Sequence, residues 1–165
     1  MTDDSARMQG ILDSLVDHGA VGALARFQDD ERTWAGSSGV TELGIERPVA
    51  AHGSFRIGSV TKAFTATVLL QLVVEGALRL EDSVDSWLPG LIPDGGAITV
   101  GHLVRHTSGL HNYTDDMSDA AVVLQRRFSP HSPDEIVTDA ARRPRLFPVG
   151  AKRSYSNTNG EFSRS

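Results

Sequence analysis

The sequence contains no cysteine and, among its 165 residues, only two lysines, Lys62 and Lys152. The absence of cysteine excludes disulfides, thiol nucleophiles and cysteine-ligated zinc. Because lysine is so scarce, nearly all positive charge is arginine, which cannot act as a base at neutral pH. A basic amine can therefore come from very few positions in this chain.

Long hydrophobic runs, nucleotide-binding motifs and an excess of positive charge are also missing. The longest apolar stretch, residues 63–74, is too short and too interrupted to span a bilayer. There is no dinucleotide glycine fingerprint, no P-loop and no G-x-S-x-G elbow. With a net charge of −5, we expect neither nucleic acid nor a membrane as a partner. Nothing in the sequence specifies an oligomeric state.

The N-terminus is acidic and has neither the basic region nor the apolar region of a secretory signal. We therefore expect a cytoplasmic protein as encoded, or an exported one if an upstream signal precedes this sequence. The hydrophobic content of 39% and the charged content of 22% are typical of a folded globular chain.

The spacing of apolar residues predicts an α+β arrangement. Residues 8–16 follow helical spacing, and residues 21–36 alternate as two strands of a hairpin. An apolar helix is expected over residues 59–75, and it should be buried because it is apolar on nearly all sides. Further helices are predicted over residues 118–128 and from Ser132, where Ser-Pro-Asp-Glu forms a capping box.

Ser59 and Lys62 lie three residues apart where a polar loop becomes the apolar helix, so they should share a helix face. Free N–H groups at a helix N-terminus favour an alkoxide or an oxyanion. Apolar neighbours should lower the pKa of Lys62, because desolvation disfavours the charged form. A neutral amine can take the proton of a nearby hydroxyl. The alternative is a capping serine beside a lysine that extends to water.

Several ordered segments make the chain resemble the penicillin-recognising serine hydrolases. The similarity is greatest to the branch of class C β-lactamases, D-alanyl-D-alanine carboxypeptidases and related esterases. Ser59 to Lys62 matches the S-x-x-K motif, and Tyr155-Ser156-Asn157 matches the Tyr-x-Asn motif. The segments that resemble the family between them are Leu80-Glu81-Asp82, Trp87-Leu88-Pro89, Ile98-Thr99-Val100 and residues 102–110.

This resemblance implies a β-lactamase-like α+β fold, in which helices flank an antiparallel sheet beside a mostly helical region. It also implies a serine hydrolase that forms an acyl-enzyme with a β-lactam, a D-alanyl peptide or an ester. Ser59 would be the nucleophile, Lys62 and Tyr155 would share the acid and base roles, and Asn157 would bind the substrate amide and contact Lys62. The Ser59 N–H would be one oxyanion donor. The implied partner is a small-molecule or peptide substrate, with no metal and no cofactor.

The chain departs from the family pattern after Asn159. The third family motif, His or Lys followed by Thr or Ser and then Gly, is missing. We expect residues 1–159 to be the N-terminal portion of the domain. Residues 160–165 would then be a non-family tail left by a truncation, a frameshift or an engineered end. The fold would lack its C-terminal strands, and the chain would be weakly active or inactive. The alternative function is a non-catalytic fragment that needs its missing C-terminal half.

Two further patterns have simpler explanations. His102 and His106 have the i, i+4 spacing of helical metal ligands, but no glutamate follows His102 as it would in a zincin. We expect them to cap a helix and to shape a loop. Asn112-Tyr113-Thr114 fits a glycosylation sequon, but nothing suggests secretion, so we expect a chance match.

Overall fold

A computed structural model of the chain describes residues 2–117 and 132–162. The chain divides into two compact units, Met1–Ile57 and Gly58–Ser165. The helix predicted over residues 118–128 lies outside the described residues. In the described part of the chain, no helix combines the length and the apolar character needed to cross a membrane.

The first unit is one helix on a three-stranded antiparallel sheet. Helix α1 (Thr2–Asp17) is followed by strands β1 (Gly22–Gln28), β2 (Thr33–Glu42) and β3 (Ile45–Pro48), in the order β1-β2-β3. The predicted helix and hairpin are therefore confirmed. Strand β2 extends beyond the predicted hairpin, and β3 adds a strand next to it.

Fewer apolar residues of α1 are buried than its sequence predicts. Leu12 is buried, whereas Ile11 and Leu15 on the same predicted apolar face are about half exposed. Helix α1 packs against β1 and β2. A helix on one side of a small sheet is covered along a single stripe, which leaves neighbouring apolar positions at its border.

The second unit is mostly helical. A 3₁₀ turn at Gly58–Val60 leads into α2 (Thr61–Val74), and α3 (Val84–Trp87), α4 (Val100–Val104), α5 (Pro133–Ala141) and α6 (Thr158–Glu161) follow. Further 3₁₀ turns lie at Gly95–Ala97 and Tyr113–Met117. The buried core of this unit is formed by Val84, Ile92, Ile98, Leu103, Leu110 and Val137. Phe162, which we placed in the tail, packs against this core.

Three helices of this unit begin after a residue whose side chain caps the helix. The Ser83 side chain accepts a hydrogen bond from the Ser86 N–H and caps α3. Thr99 and His102 form a capping box on α4, and Ser132 and Glu135 form another on α5, as predicted. Side-chain acceptors at these positions satisfy backbone N–H groups that have no partner within the helix.

The prediction that the apolar helix is buried is wrong. None of the residues of α2 is buried, and the exposed fractions of Phe64, Val68 and Val74 are 64%, 54% and 88%. The core cluster of this unit contains no residue of α2. Exposed apolar side chains in this number on one helix are unusual on the surface of a monomer.

Candidate active site

The predicted nucleophile and base lie next to each other at the start of α2. Ser59 is in the 3₁₀ turn, after Gly58, whose φ of +53° is a left-handed conformation that favours glycine. Lys62 is in the first turn of α2, and its Nζ lies 3.3 Å from the Ser59 Oγ. The Tyr155 hydroxyl lies 2.8 Å from the same oxygen. Two groups that can accept or donate a proton thus converge on one serine hydroxyl.

Asn157 joins this group through its side-chain oxygen. The Asn157 Oδ1 accepts hydrogen bonds from Lys62 Nζ at 2.9 Å and from the Tyr155 hydroxyl at 3.1 Å. A lysine ammonium has donors and no acceptor, so the amide oxygen is the end that suits it. The structure therefore brings all four predicted residues together and includes the expected contact between Asn157 and Lys62. Binding of a substrate amide by Asn157 stays a prediction.

This arrangement lowers the pKa of Tyr155. The hydrogen bond from Lys62 lowers the pKa of the Tyr155 hydroxyl below 10.0, and the hydrogen bond with Ser59 lowers it further. Partial burial opposes this shift of the pKa, and the positive charge of Lys62 adds to it. The phenol of Tyr155 thereby becomes easier to ionise, as a proton acceptor beside a serine hydroxyl requires.

The surroundings of Lys62 differ from the prediction of apolar neighbours. Its side chain is half-buried, but Val60 and Phe64 are exposed, and Nζ contacts oxygens of Ser59 and Asn157. Long side chains on a helix point back towards its N-terminus, which places the amine at the polar end of α2. Gly160 borders this side chain, because a Cβ added there would lie 3.2 Å from Lys62 Cε.

His106 also belongs to the site, although the sequence indicated only that it shapes a loop. Its ring stacks on the Tyr155 ring, with centroids 4.7 Å apart and planes at 30°. The His106 Nδ1 accepts hydrogen bonds from the Ser156 N–H at 3.3 Å and from Asn159 Nδ2 at 3.0 Å. His102, in contrast, caps α4 through Thr99 as predicted. His106 therefore supports the ring of Tyr155.

Burial lowers the pKa of His106 below 6.5, and the positive charges of Lys62 and Arg153 lower it further. Below about pH 6.5 the unfolded chain binds a proton at this histidine more readily than the folded chain does, so stability falls as the pH falls. We expect wild-type protein to lose more stability between about pH 7 and pH 5 than His106→Asn. Asparagine keeps an acceptor and tolerates the left-handed φ of +57° at this position.

The measurement is urea unfolding of both proteins at pH 7, 6 and 5, with the free energy of unfolding compared at each pH. A histidine that is free to protonate in the folded state would give the two proteins parallel pH profiles. That result would contradict the assigned direction of the His106 pKa.

The sequence analysis missed two residues that contact Asn157. The Asn112 Oδ1 accepts from the Asn157 backbone N–H at 2.8 Å, and the Thr114 Oγ1 accepts from the Asn157 Nδ2 at 3.0 Å. Both residues belong to the tripeptide that we took for a chance sequon. They lie more than 40 residues from Asn157 in the chain, and no local pattern signals such a contact.

A protein-family model matches most of the chain. The family model described as Beta-lactamase matches residues 7–161. Penicillin-binding protein 4 of Amycolatopsis lactamdurans is 39% identical over an alignment of 116 residues, and the alignment covers 67% of this chain and 30% of that protein. The esterase EstB of Burkholderia gladioli is 35% identical over an alignment of 120 residues, and the alignment covers 65% of this chain and 30% of that protein.

A solved structure matches nearly the whole described fold. The crystal structure of a D-stereospecific amidohydrolase from Streptomyces sp. superposes with a TM-score of 0.81 at 38% sequence identity. The match covers 96% of this chain and 47% of that chain. This chain therefore spans less than half the length of the three proteins it is compared with.

Proposed function

Since this chain belongs to the Beta-lactamase family, we propose that it carries the active site of a serine hydrolase, in which Ser59 becomes acylated by the substrate. The resemblance seen in the sequence and the β-lactamase-like fold are both confirmed by the family match and by the solved structure. The esterase and the amidohydrolase among the relatives are hydrolases by name. One observation supports the proposal most: Lys62 Nζ and the Tyr155 hydroxyl both lie within hydrogen-bond distance of Ser59 Oγ.

The proposed reaction moves one proton and exchanges one acyl bond in each half. In the first half, the Ser59 proton passes to a neutral Lys62 amine or to an ionised Tyr155 while Oγ bonds to the substrate carbonyl carbon. The leaving amine or alcohol then takes up that proton as its bond to the carbonyl breaks. In the second half, water gives a proton to the same base and attacks the carbonyl carbon of the Ser59 ester. The base returns this proton to Ser59 Oγ as the Oγ–acyl bond breaks, and the acid product leaves.

Three substrate classes follow from the family: β-lactams, D-alanyl peptides and esters. Each presents a carbonyl that a serine oxygen can attack, and their hydrolysis differs chiefly in the leaving group. D-amino acid amides and esters deserve to be tested first, because the solved relative is named for D-stereospecific amide hydrolysis. The choice among these classes depends on the shape of the substrate cleft and not on the Ser-Lys-Tyr group.

The test is trapping of the acyl-enzyme. The protein is incubated with a fluorescent penicillin or with a D-phenylalanine ester, quenched in acid, and mapped by peptide mass spectrometry. We expect one acyl group on Ser59, none in Ser59→Ala, and an unchanged yield in Ser14→Ala, a matched change on the exposed side of α1. Acylation at another residue, or equal labelling of Ser59→Ala, would refute the assignment of the nucleophile.

A second candidate function is that of a fragment that becomes catalytic only with another polypeptide. The exposed apolar side chains of α2 favour it. The D-stereospecific amidohydrolase has a further half that the match to this chain does not cover. We infer a partner that resembles the second half of that amidohydrolase. Adding this half should increase the rate of Ser59 acylation and protect α2 amides from hydrogen exchange. Rapid acylation and brisk turnover without any addition would exclude this candidate.

A further inference from the structure

Asn112 and Thr114 hold Asn157 from two sides. The backbone N–H of Asn157 donates a hydrogen bond to the Asn112 Oδ1 at 2.8 Å. The side-chain Nδ2 of Asn157 donates to the Thr114 Oγ1 at 3.0 Å. We propose that Asn112 and Thr114 are positioning residues, which keep the Asn157 amide oxygen directed at Lys62 and Tyr155. This inference rests on the proposed function, because it concerns the same Ser59 chemistry.

The orientation of the Asn157 amide matters because its two ends are not equivalent. One end accepts hydrogen bonds and the other only donates. With its oxygen directed at Lys62, the amide accepts from Nζ at 2.9 Å and from the Tyr155 hydroxyl at 3.1 Å. A rotated amide would present its NH₂ group to the donors of Lys62 and would lose both hydrogen bonds. The Thr114 Oγ1 accepts a hydrogen bond from Nδ2 at the other end, so the amide is held at both ends in the observed orientation.

The segment that carries Asn112 and Thr114 is itself anchored to the chain around Asn157. The Tyr113 N–H donates to the Thr158 Oγ1 at 3.2 Å, and Thr158 Oγ1 donates to the His111 carbonyl at 2.6 Å. The Ser156 hydroxyl donates to the same carbonyl at 3.3 Å. Ser156 and Thr158 are buried. Buried hydrogen bonds of this kind are costly to break, so the two segments should keep their relative position.

The effect of Thr114 should reach Ser59 through Lys62. When Asn157 is free to turn, Lys62 loses its hydrogen bond to the Asn157 Oδ1 and is held less firmly beside Ser59 and Tyr155. The hydrogen bond from Lys62 is also the main cause of the lowered Tyr155 pKa. Loss of the Thr114 hydroxyl should therefore change a spectroscopic property of Tyr155 as well as the reactivity of Ser59.

The test compares Thr114→Val, which replaces the hydroxyl by a methyl group, with Thr114→Ser, which keeps the hydroxyl. The ionisation of Tyr155 is followed by ultraviolet absorbance as the difference between each protein and the same protein with Tyr155→Phe. The rate of Ser59 acylation is measured with a fluorescent penicillin. In Thr114→Val we expect the Tyr155 pKa to rise towards 10.0 and acylation to slow about ten-fold.

Thr114→Ser should restore both properties, and Thr41→Val, a matched change on an exposed residue of the first unit, should alter neither. If Thr114→Val leaves both the Tyr155 pKa and the acylation rate unchanged, the proposal is wrong. Thr114→Ala removes the hydroxyl without adding a methyl group and replaces the valine variant if that variant does not fold. If wild-type protein is not acylated, the proposed function fails, while the Tyr155 titration still decides the role of Thr114.

Discussion

Lys62→Met is expected to slow acylation of Ser59 by about a thousand-fold, within the range that general bases contribute. Methionine has a similar length and no amine, so it removes the hydrogen bonds to Ser59 and Asn157 with little change in volume. It also removes the main cause of the lowered Tyr155 pKa. The measurement is the second-order rate of labelling by a fluorescent penicillin, with circular dichroism to verify folding.

The sequence supplies a matched control for this change. Lys152 is the one other lysine, and it is exposed, so Lys152→Met should label at the wild-type rate. Lys62→Arg keeps a cation that cannot act as a base at neutral pH. Recovery of the wild-type rate in Lys62→Arg would mean that positive charge alone activates Ser59. A labelling rate in Lys62→Met that is less than about three-fold below the wild-type rate would contradict the role assigned to the Lys62 amine.

Tyr155→Phe is expected to slow the same reaction by about a hundred-fold. The change removes the hydroxyl that lies 2.8 Å from Ser59 Oγ and retains the aromatic ring that stacks on His106. In wild-type protein, labelling should accelerate as Tyr155 ionises below its usual pKa of 10.0, and Tyr155→Phe should lack this increase. The measurement is the labelling rate from about pH 6 to pH 10.

Tyr113→Phe is the matched control, since Tyr113 is the second of the two tyrosines in the chain. Its hydroxyl contacts Glu161 Oε1 at 3.4 Å and not Ser59. We expect a labelling rate within about two-fold of wild type and the same pH profile. An equal loss of rate in both tyrosine variants would indicate a general weakening of the fold rather than a role for the Tyr155 phenol.

The elements that sequence reasoning predicted well are those that local chemistry determines. The capping box of Ser132 and Glu135 depends on residues three positions apart, and it is present in the structure. The hairpin depends on alternation and a turn, and β1 and β2 pair with Phe27 opposite Trp34. Ser59 and Lys62 were found by spacing, while Tyr155 and Asn157 were found only through the resemblance to a family.

The features that the sequence did not predict depend on contacts between distant parts of the chain. The stacking of His106 on Tyr155 and the hydrogen bonds of Asn112 and Thr114 to Asn157 join residues more than 40 positions apart. No periodic pattern encodes such contacts. The exposure of α2 was missed for a related reason. Apolar composition indicates that a helix is suited to burial, but only the surrounding structure determines what covers it.

The central claim is that Lys62 and Ser59 together make the Tyr155 phenol easier to ionise beside the nucleophile. The most direct measurement is an ultraviolet titration of wild-type protein minus Tyr155→Phe, repeated in Lys62→Met. We predict that Tyr155 ionises with a pKa below 10.0 in the wild-type background and with a pKa near 10 in Lys62→Met. A phenol that ionises at or above pH 10 in both backgrounds would contradict the account.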